Sequence, residues 1–175
     1  MSFTRYWQGD GVLVIGIAGA LPRTEARQRT RLAVREAVAQ WLNIAIDGVS
    51  VDSRPGHAPR LLLTCRAAWL SISHDEGLSL AAIHLHGPVG IDVMRAQEID
   101  DWFAVAMDYL GPQVAQSLAA CADAQRPQAL AQAWTAREAG LKCAGQALGE
   151  WDGAAIDCRL QALPMPARFV ATLAY

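Results

Sequence analysis

Residues 134–142 read WTAREAGLK, and residues 90–93 read GIDV. In a helix, Trp134, Glu138 and Lys142 of the first stretch are four residues apart and share one face. The second stretch is typical of a short strand, and it delivers a second carboxylate. Two carboxylates and a lysine together can hold a divalent cation against phosphate oxygens. The sequence therefore predicts that a helix and a strand combine at a site of this kind.

Apolar runs and turn residues divide the rest of the chain into strands and helices. Thr24 is a suitable N-cap for a first helix, whose apolar positions repeat at helical spacing as far as Leu42. Helical segments are also expected between residues 98 and 146, with interruptions at residues 111–112 and near Pro127. We predict strands at residues 12–18, 49–53, 69–73, 78–84, 89–94, 154–160 and 168–173, with a hairpin turn at residues 74–77.

Short motifs occur once in each half of the sequence. The pairs are IGI and VGI at residues 15–17 and 89–91, REA at 35–37 and 137–139, and DGV and DGA at 47–49 and 152–154. Each half then reads as strand, helices, strand, strand. We therefore predict an α+β fold with two similar halves, at about residues 1–86 and 87–175, within a single compact domain over residues 1–175.

The composition favours a folded globular protein. Hydrophobic residues make up 53% and charged residues 18% of the 175 residues, which suits one domain with a sizeable core. The net charge of −2 provides no basic field for nucleic acid or for an anionic membrane surface. The apolar run at residues 12–21 is too short to cross a bilayer, and Gly16 and Gly19 interrupt it. We expect neither nucleic acid nor a membrane as a partner.

The cysteines do not follow a metal or redox pattern. They are Cys65, Cys121, Cys143 and Cys158, and no two of them form a C-x-x-C pair. Isolated cysteines without a signal peptide indicate a reducing environment. We therefore expect a cytoplasmic protein.

Three motifs occur in a defined order: SISH at residues 71–74, VGID at 89–92, and W-x3-E-x3-K at 134–142. In order and spacing they resemble the three-part signature of the 4'-phosphopantetheinyl transferases. The segment Gly56-x-x-Pro59-Arg60 also resembles the first, Gly/Pro-containing motif of that family. The resemblance extends from about residue 22 to residue 149. This family moves the phosphopantetheine arm of coenzyme A (CoA) onto a serine of an apo acyl or peptidyl carrier protein.

The resemblance implies a fold and an assembly as well as an activity. The family includes a monomeric type that activates surfactin synthetase, with two similar α+β halves related by a pseudo-two-fold axis and CoA between them. The internal repeat of this chain favours that type, and therefore a monomer. Carrier proteins of fatty-acid, polyketide, peptide-synthetase and pigment pathways are all compatible with the sequence.

The same resemblance implies the residues of a site. Asp92 and Glu138 correspond to Mg²⁺ ligands, and Glu138 is also suited to act as the base for the carrier serine, directly or through water. Lys142 corresponds to a contact with the CoA phosphates, where it offsets charge on the departing 3',5'-ADP. Ser73 and His74 correspond to the pair that binds the 3'-phosphate.

Two positions depart from the family pattern. Many members have a second acidic residue where this chain has Met94, and methionine is a poor ligand for a hard cation. We expect water or a phosphate oxygen to take that place. Ala58 stands where members often have lysine, and Arg60 is expected to replace that charge. Among the arginines of the first helix, we choose Arg31 as a contact for the 3'-phosphate.

Simpler interpretations exist for several of these residues. Glu138 and Lys142 also have the spacing of a surface ion pair, which contributes only about 0.3–0.5 kcal/mol. His84 and His86 share a strand face, as metal ligands can, but no third ligand has suitable spacing, so we interpret them as a strand end. Two rival functions stay open: a module that binds CoA or a carrier protein without turnover, and a Mg²⁺-dependent phosphohydrolase.

Overall fold

The structure is a computed structural model of the chain, and it describes residues 2–53, 58–64 and 66–175. These residues form nine strands, four α-helices and two short 3-10 helices. The strands are β1 (Thr4–Gly9), β2 (Val12–Ala18), β3 (Val49–Asp52), β4 (Arg60–Leu63), β5 (Arg66–Asp75), β6 (Leu78–His84), β7 (Gly90–Arg95), β8 (Leu160–Ala162) and β9 (Phe169–Ala174). The helices are α1 (Arg23–Leu42), α2 (Trp102–Tyr109), α3 (Pro112–Ala119) and α4 (Arg126–Cys143), and the 3-10 helices are Ile46–Gly48 and Asp123–Gln125.

The strands form two antiparallel sheets. The first sheet has the order β1-β2-β6-β5-β4-β3, and the second has the order β7-β9-β8. Together with the four helices they make a mixed α+β fold, which confirms the predicted class. The first sheet comes from residues 4–84 and the second from residues 90–174. A pseudo-two-fold relation between the two halves of the chain stays a prediction.

Strand β2 of the first sheet is covered on both of its faces. Leu13 and Ile15 of β2 pack in the cluster that includes the buried side of α1, whereas Val12 and Val14 pack with the second sheet. Because neither face of β2 meets solvent, its successive residues are apolar and do not alternate with polar ones. The predicted buried strand at residues 12–18 is confirmed with the same bounds.

Helix α4 packs on the second sheet, against β7 and β9. At this interface Thr135 Oγ1 lies 2.9 Å from Thr172 Oγ1, and both side chains are buried. A Cβ atom on Gly90 would lie only 1.9 Å from the carbonyl oxygen of Ala139, so glycine lets β7 approach the helix backbone this closely. The predicted combination of this helix with this strand is confirmed.

The predicted hairpin joins β5 and β6, but its turn is shorter than expected. Asp75 pairs with Leu78, so only Glu76 and Gly77 form the turn. Gly77 has a φ of +87°, a left-handed conformation that glycine adopts without steric cost. His74 and Asp75 are consequently strand residues.

Two other predicted boundaries are wrong. Helix α1 begins at Arg23 with Pro22 at its N-cap position, so Thr24 lies inside the first turn and does not cap it. Pro22 has a φ of −53° and a ψ of 142°, the non-helical backbone conformation that an N-cap residue adopts. The strand predicted at residues 154–160 is irregular chain up to Leu160, since pairing of β8 with β9 covers only residues 160–162.

The sequence patterns do not predict β1 or β4. Strand β4 lies between two predicted strands, in a segment without a strand pattern of its own, and its four residues become a strand by pairing with both β3 and β5. Arg60, a predicted site residue, is the first residue of β4. Gly56 of the Gly/Pro-containing motif lies outside the described residues.

The described cysteines are free thiols, and none of the described helices could span a membrane. Cys121, Cys143 and Cys158 are free, and Cys65 lies outside the described residues. Burial raises the pKa of the Cys143 thiol to about 11, with a further contribution from neighbouring Cys158. In the described part of the chain, every helix is too short or too polar to cross a membrane.

Candidate functional site

An open pocket of about 720 Å³ lies where α1, β5, β7 and α4 converge. Its walls differ in charge, because α1 supplies guanidinium groups and the other elements supply carboxylates, an imidazole and an ammonium group. The lining side chains relevant to chemistry are Arg23, Arg27 and Arg31 of α1, Ser73, His74 and Asp75 of β5, Asp92 and Met94 of β7, and Trp134, Glu138 and Lys142 of α4.

Asp92 is a buried carboxylate on β7, with 7% of its surface exposed. Its Oδ1 accepts a hydrogen bond from Ser73 Oγ at 2.8 Å and one from Lys142 Nζ at 2.6 Å. Alternation along the strand places Ile91 and Val93 in the core between the sheets, so Asp92 faces α4. Ser73 and Lys142 offset the cost of burying this charge.

The α4 residues Trp134, Glu138 and Lys142 line the same pocket, as their spacing predicts. Lys142 Nζ lies 3.6 Å from Glu138 Oε2 and 2.6 Å from Asp92 Oδ1, so one ammonium group contacts both carboxylates. The side chains of Glu138 and Lys142 are only 20% and 30% exposed, which sets them apart from a solvated surface pair. Trp134 packs with the residues between α2, α3 and α4, and its ring lies 5.7 Å from that of Tyr109.

Asp92 and Glu138 are the carboxylates of the pocket that suit a divalent cation. The carboxylate of Asp75 is instead engaged by the backbone N–H groups of Glu76 and Arg95. Among the residues that the structure describes, no three histidine, cysteine or acidic side chains form a metal-binding group. Mg²⁺ commonly takes one or two carboxylates and completes its coordination with water and substrate phosphates. Two carboxylates therefore fit Mg²⁺ in the presence of a phosphorylated substrate.

His74 lines the pocket, and its Nδ1 lies 2.7 Å from Ser79 Oγ. Burial lowers the pKa of His74, and the positive charges of Arg27, Arg23 and Lys142 lower it further. The lowered pKa favours the neutral imidazole in the free protein. A phosphate bound among these groups would raise the pKa again, because negative charge favours the imidazolium form.

Three arginines of α1 line the pocket: Arg23, Arg27 and Arg31. They are four residues apart, so they form one row on the helix. Arg31 is the predicted phosphate contact among them, and Arg23 is the pocket residue that the sequence patterns do not predict. Extending the same i,i+4 spacing one step toward the N-terminus identifies it.

Other residues with a sequence-based interpretation lie elsewhere. Arg60 is exposed, and its neighbour Pro59 borders the pocket in its place. Arg35 donates from Nε to the carbonyl oxygen of Val49 at 2.8 Å, which ties α1 to β3. His84 Nδ1 lies 3.1 Å from the carbonyl oxygen of Pro88, in keeping with a strand end.

Comparison with known proteins finds two likenesses to the 4'-phosphopantetheinyl transferases. Residues 88–168, a little under half of the chain, match the family model described as the 4'-phosphopantetheinyl transferase superfamily. This region contains Asp92, Glu138 and Lys142, whereas Ser73 and His74 precede it.

A Synechocystis protein whose name assigns it provisionally to the 4'-phosphopantetheinyl transferases is 26% identical to this chain over 130 residues. The match covers 72% of this chain and 53% of that protein, so the chain spans about half the length of the curated relative it matches. Both likenesses are therefore to 4'-phosphopantetheinyl transferases, one at the level of the superfamily and one at the level of a single protein.

Proposed function

We propose that the chain transfers the 4'-phosphopantetheine arm of CoA to a serine of an apo acyl or peptidyl carrier protein, and that the reaction requires Mg²⁺. The observation that carries this proposal is the contact of Lys142 with both Asp92 and Glu138 in a pocket that three arginines also line. Two carboxylates for a cation and a row of cations for phosphates match the charge pattern of CoA with Mg²⁺. We further propose the monomeric, two-half type of the family.

The cationic side of the pocket would bind the phosphates of CoA. Arg23, Arg27 and Arg31 are placed to contact anionic oxygens, and Arg31 remains our choice for the 3'-phosphate. His74, with Ser73 beside it, borders the same space. Arg60 is proposed only as a peripheral contact, because it is exposed and Pro59 lies nearer.

The acidic side of the pocket would carry the chemistry. Asp92 and Glu138 would hold Mg²⁺, which supplies positive charge to the pyrophosphate of CoA. Glu138, directly or through a water molecule, removes the proton of the carrier serine. The serine oxygen bonds to the phosphorus that bears pantetheine, and the bond from that phosphorus to 3',5'-ADP breaks. Lys142 offsets the negative charge that develops on the departing 3',5'-ADP.

The test is the intact mass of a panel of apo carrier proteins after incubation with the protein, CoA and Mg²⁺, with an EDTA control. We expect a metal-dependent gain of one phosphopantetheine arm, and the carriers that respond would begin to identify the pathway. Asp92→Ala and Glu138→Gln should lower the rate at least about 100-fold while the fold survives, the scale of losing a general base or an electrostatic group. Full activity in either variant would contradict the assigned site.

A second candidate is a module that binds CoA or a carrier protein without turnover. Met94 in the pocket favours it, because the position next to Asp92 on the same strand face offers no oxygen ligand. CoA binding with no mass gain on any carrier would support this alternative. Release of phosphate from CoA or nucleotides without a carrier would instead indicate a phosphohydrolase that uses the same carboxylates.

A further inference from the structure

Side chains of β5 hold β7 in place across the gap between the two sheets. Ser71, Ser73 and Asp75 lie at alternate positions of β5 and face β7. Ser71 Oγ accepts from the N–H of Ile91 at 3.1 Å, and Ser73 Oγ accepts from the N–H of Val93 at 3.3 Å. Asp75 Oδ2 accepts from the next alternate N–H of β7 at 2.5 Å. We call these three contacts the side-chain ladder. They use every second residue of β5 and every second residue of β7, which is the period of a β-strand.

The ladder has a clear physical cause. Strand β7 is the edge strand of the second sheet, so every other N–H group of β7 points away from its partner β9. Ile91 and Val93 are almost fully buried, and a buried N–H without an acceptor is costly. Strand β5 already pairs with β4 and β6 through its backbone, so its side chains provide the acceptors.

Ser73 differs from the rest of the ladder in one respect. It accepts from Val93 and also donates to Asp92 Oδ1 at 2.8 Å, so both functions of the hydroxyl are used. A serine hydroxyl has a single hydrogen to donate. To bind a phosphate oxygen, Ser73 would have to withdraw that hydrogen from a buried carboxylate.

Within the described residues, both hydrogen bonds of the Asp92 carboxylate are made by Oδ1. Ser73 and Lys142 thereby fix the orientation of the carboxylate through Oδ1. Its other oxygen, Oδ2, is the one that it can offer to a cation. Hydrogen bonds to a ligating carboxylate orient it and commonly change metal affinity 10- to 100-fold.

We infer that Ser73 is a positioning residue for the cation site, which acts through Asp92 and not directly on CoA. This inference rests on the proposed function, since it assumes that Asp92 binds the cation. Ser71 provides the matched control, because it forms the preceding contact of the same ladder and bonds to Ile91 instead of Asp92.

The experiment measures Mn²⁺ binding by electron paramagnetic resonance with CoA present, and CoA affinity by calorimetry without metal. It compares the wild type with Ser73→Ala and Ser71→Ala. We expect Ser73→Ala to weaken Mn²⁺ binding by about 10- to 100-fold with unchanged CoA affinity. Ser71→Ala should leave both affinities at the wild-type level. If Ser73→Ala does not fold, Ser73→Cys keeps the volume with only a weak donor and should show the same loss.

Three results would overturn the inference. Weaker CoA binding with unchanged Mn²⁺ affinity in Ser73→Ala would make Ser73 a phosphate contact. An equal loss of Mn²⁺ affinity in Ser71→Ala would assign the effect to the packing of the two strands. Wild-type Mn²⁺ affinity in both Ser73→Ala and Ser73→Cys would exclude any role of this hydroxyl at the cation site.

The wild-type controls separate this inference from the proposed function. Mn²⁺ binding without phosphopantetheine transfer to any carrier would reject the proposed transfer, and the Ser73 comparison would still decide the positioning role. Transfer without Mn²⁺ binding would reject the positioning role and leave the transferase assignment in place.

Discussion

At the scale of single residues, one ammonium group in the pocket compensates the charges of two carboxylates. Lys142 contacts the buried Asp92 and the half-buried Glu138, so the three groups form one network. Removing one member of a buried charge network leaves the others without a partner, which destabilises a fold more than losing a surface pair. For this reason Asp92→Ala should lower the free energy of unfolding more than Glu138→Gln does, although we expect both variants to fold.

Met94 is the residue whose replacement should strengthen cation binding. It lines the pocket two positions after Asp92 on β7, so a carboxylate there would face the same space. We expect Met94→Glu to lower the Mg²⁺ concentration for half-maximal transfer by about tenfold, because a further charged oxygen ligand raises affinity. The measurement is the transfer rate over a Mg²⁺ titration. Met94→Leu is the apolar control, and an unchanged midpoint in Met94→Glu would remove the argument about a missing ligand.

His74 should make CoA binding depend on pH. Its pKa in the free protein is lowered by burial and by Arg27, Arg23 and Lys142, so phosphate binding beside it should raise the pKa and take up a proton. CoA affinity should therefore increase as the pH falls from 8 toward 6, by at most about tenfold per pH unit for one proton. Calorimetry in buffers of different ionisation enthalpy would detect the proton.

The control for this pH dependence is His74→Gln, which retains the titration of the CoA phosphate itself. A slope that stays the same in His74→Gln would show that the imidazole takes no part. The same lowered pKa affects stability with a defined sign. Because the folded state disfavours the imidazolium, this contribution to stability is present above about pH 6.5, the unfolded value, and is lost as the pH falls through the folded-state pKa.

At the scale of elements, the contact of β7 with α4 determines the geometry of the site. Asp92 lies on the strand and Glu138 on the helix, so the spacing of the two carboxylates depends on how closely these elements approach. Gly90 permits that approach, since any Cβ there would overlap with the backbone of Ala139 and Cys143. The side-chain ladder holds the opposite edge of β7 against β5.

Gly90→Ala should therefore disturb both stability and activity. The atoms that a methyl group would meet belong to the α4 backbone, at 1.9 and 2.7 Å, and they cannot rotate away. We expect a loss of about 1–3 kcal/mol or more in the free energy of unfolding, and a larger fractional loss of transfer activity. Chemical denaturation and the carrier-mass assay measure the two effects.

Gly149→Ala is the matched control for Gly90→Ala. A Cβ at Gly149 meets no atom within 4 Å, so this change should leave the unfolding midpoint and the transfer rate unchanged. A Gly90→Ala variant with wild-type stability would contradict the close packing of β7 on α4.

At the scale of the whole molecule, the two halves of the chain supply opposite walls of one pocket. The arginines of α1 and the His74 region come from residues 23–75, and the carboxylates and Lys142 come from residues 92–142. The first sheet lies between α1 and the second sheet, which α4 covers on its other side. A single copy of the chain therefore contains every candidate site residue that lines the pocket.

This arrangement predicts that one chain makes a complete site. Specific activity should be constant on dilution from micromolar to nanomolar protein. A mixture of Asp92→Ala with the triple variant Arg23→Ala, Arg27→Ala, Arg31→Ala should stay as inactive as its components, because neither copy can repair the other. The carrier-mass assay on the mixture measures this. Recovery of activity in the mixture would place the site between two subunits.

The sequence alone determined the α+β class, the bounds of β2 and the shared face of Trp134, Glu138 and Lys142. These features follow from local periodicity, which depends only on the geometry of a helix or a strand. The three motifs likewise predict that Asp92 and Lys142 belong to one site, and the two side chains are in contact in the structure.

The tertiary structure alone decided the features that depend on distant partners. Strand β4 exists because β3 and β5 flank it, and Arg23 belongs to the pocket because the fold brings it close to His74 of β5. The bonds from Ser73 to Asp92 and Val93 join residues about 20 positions apart in different sheets. Local patterns carry no information on such pairings, since these are selected by the burial of apolar surface and the satisfaction of buried polar groups across the whole chain.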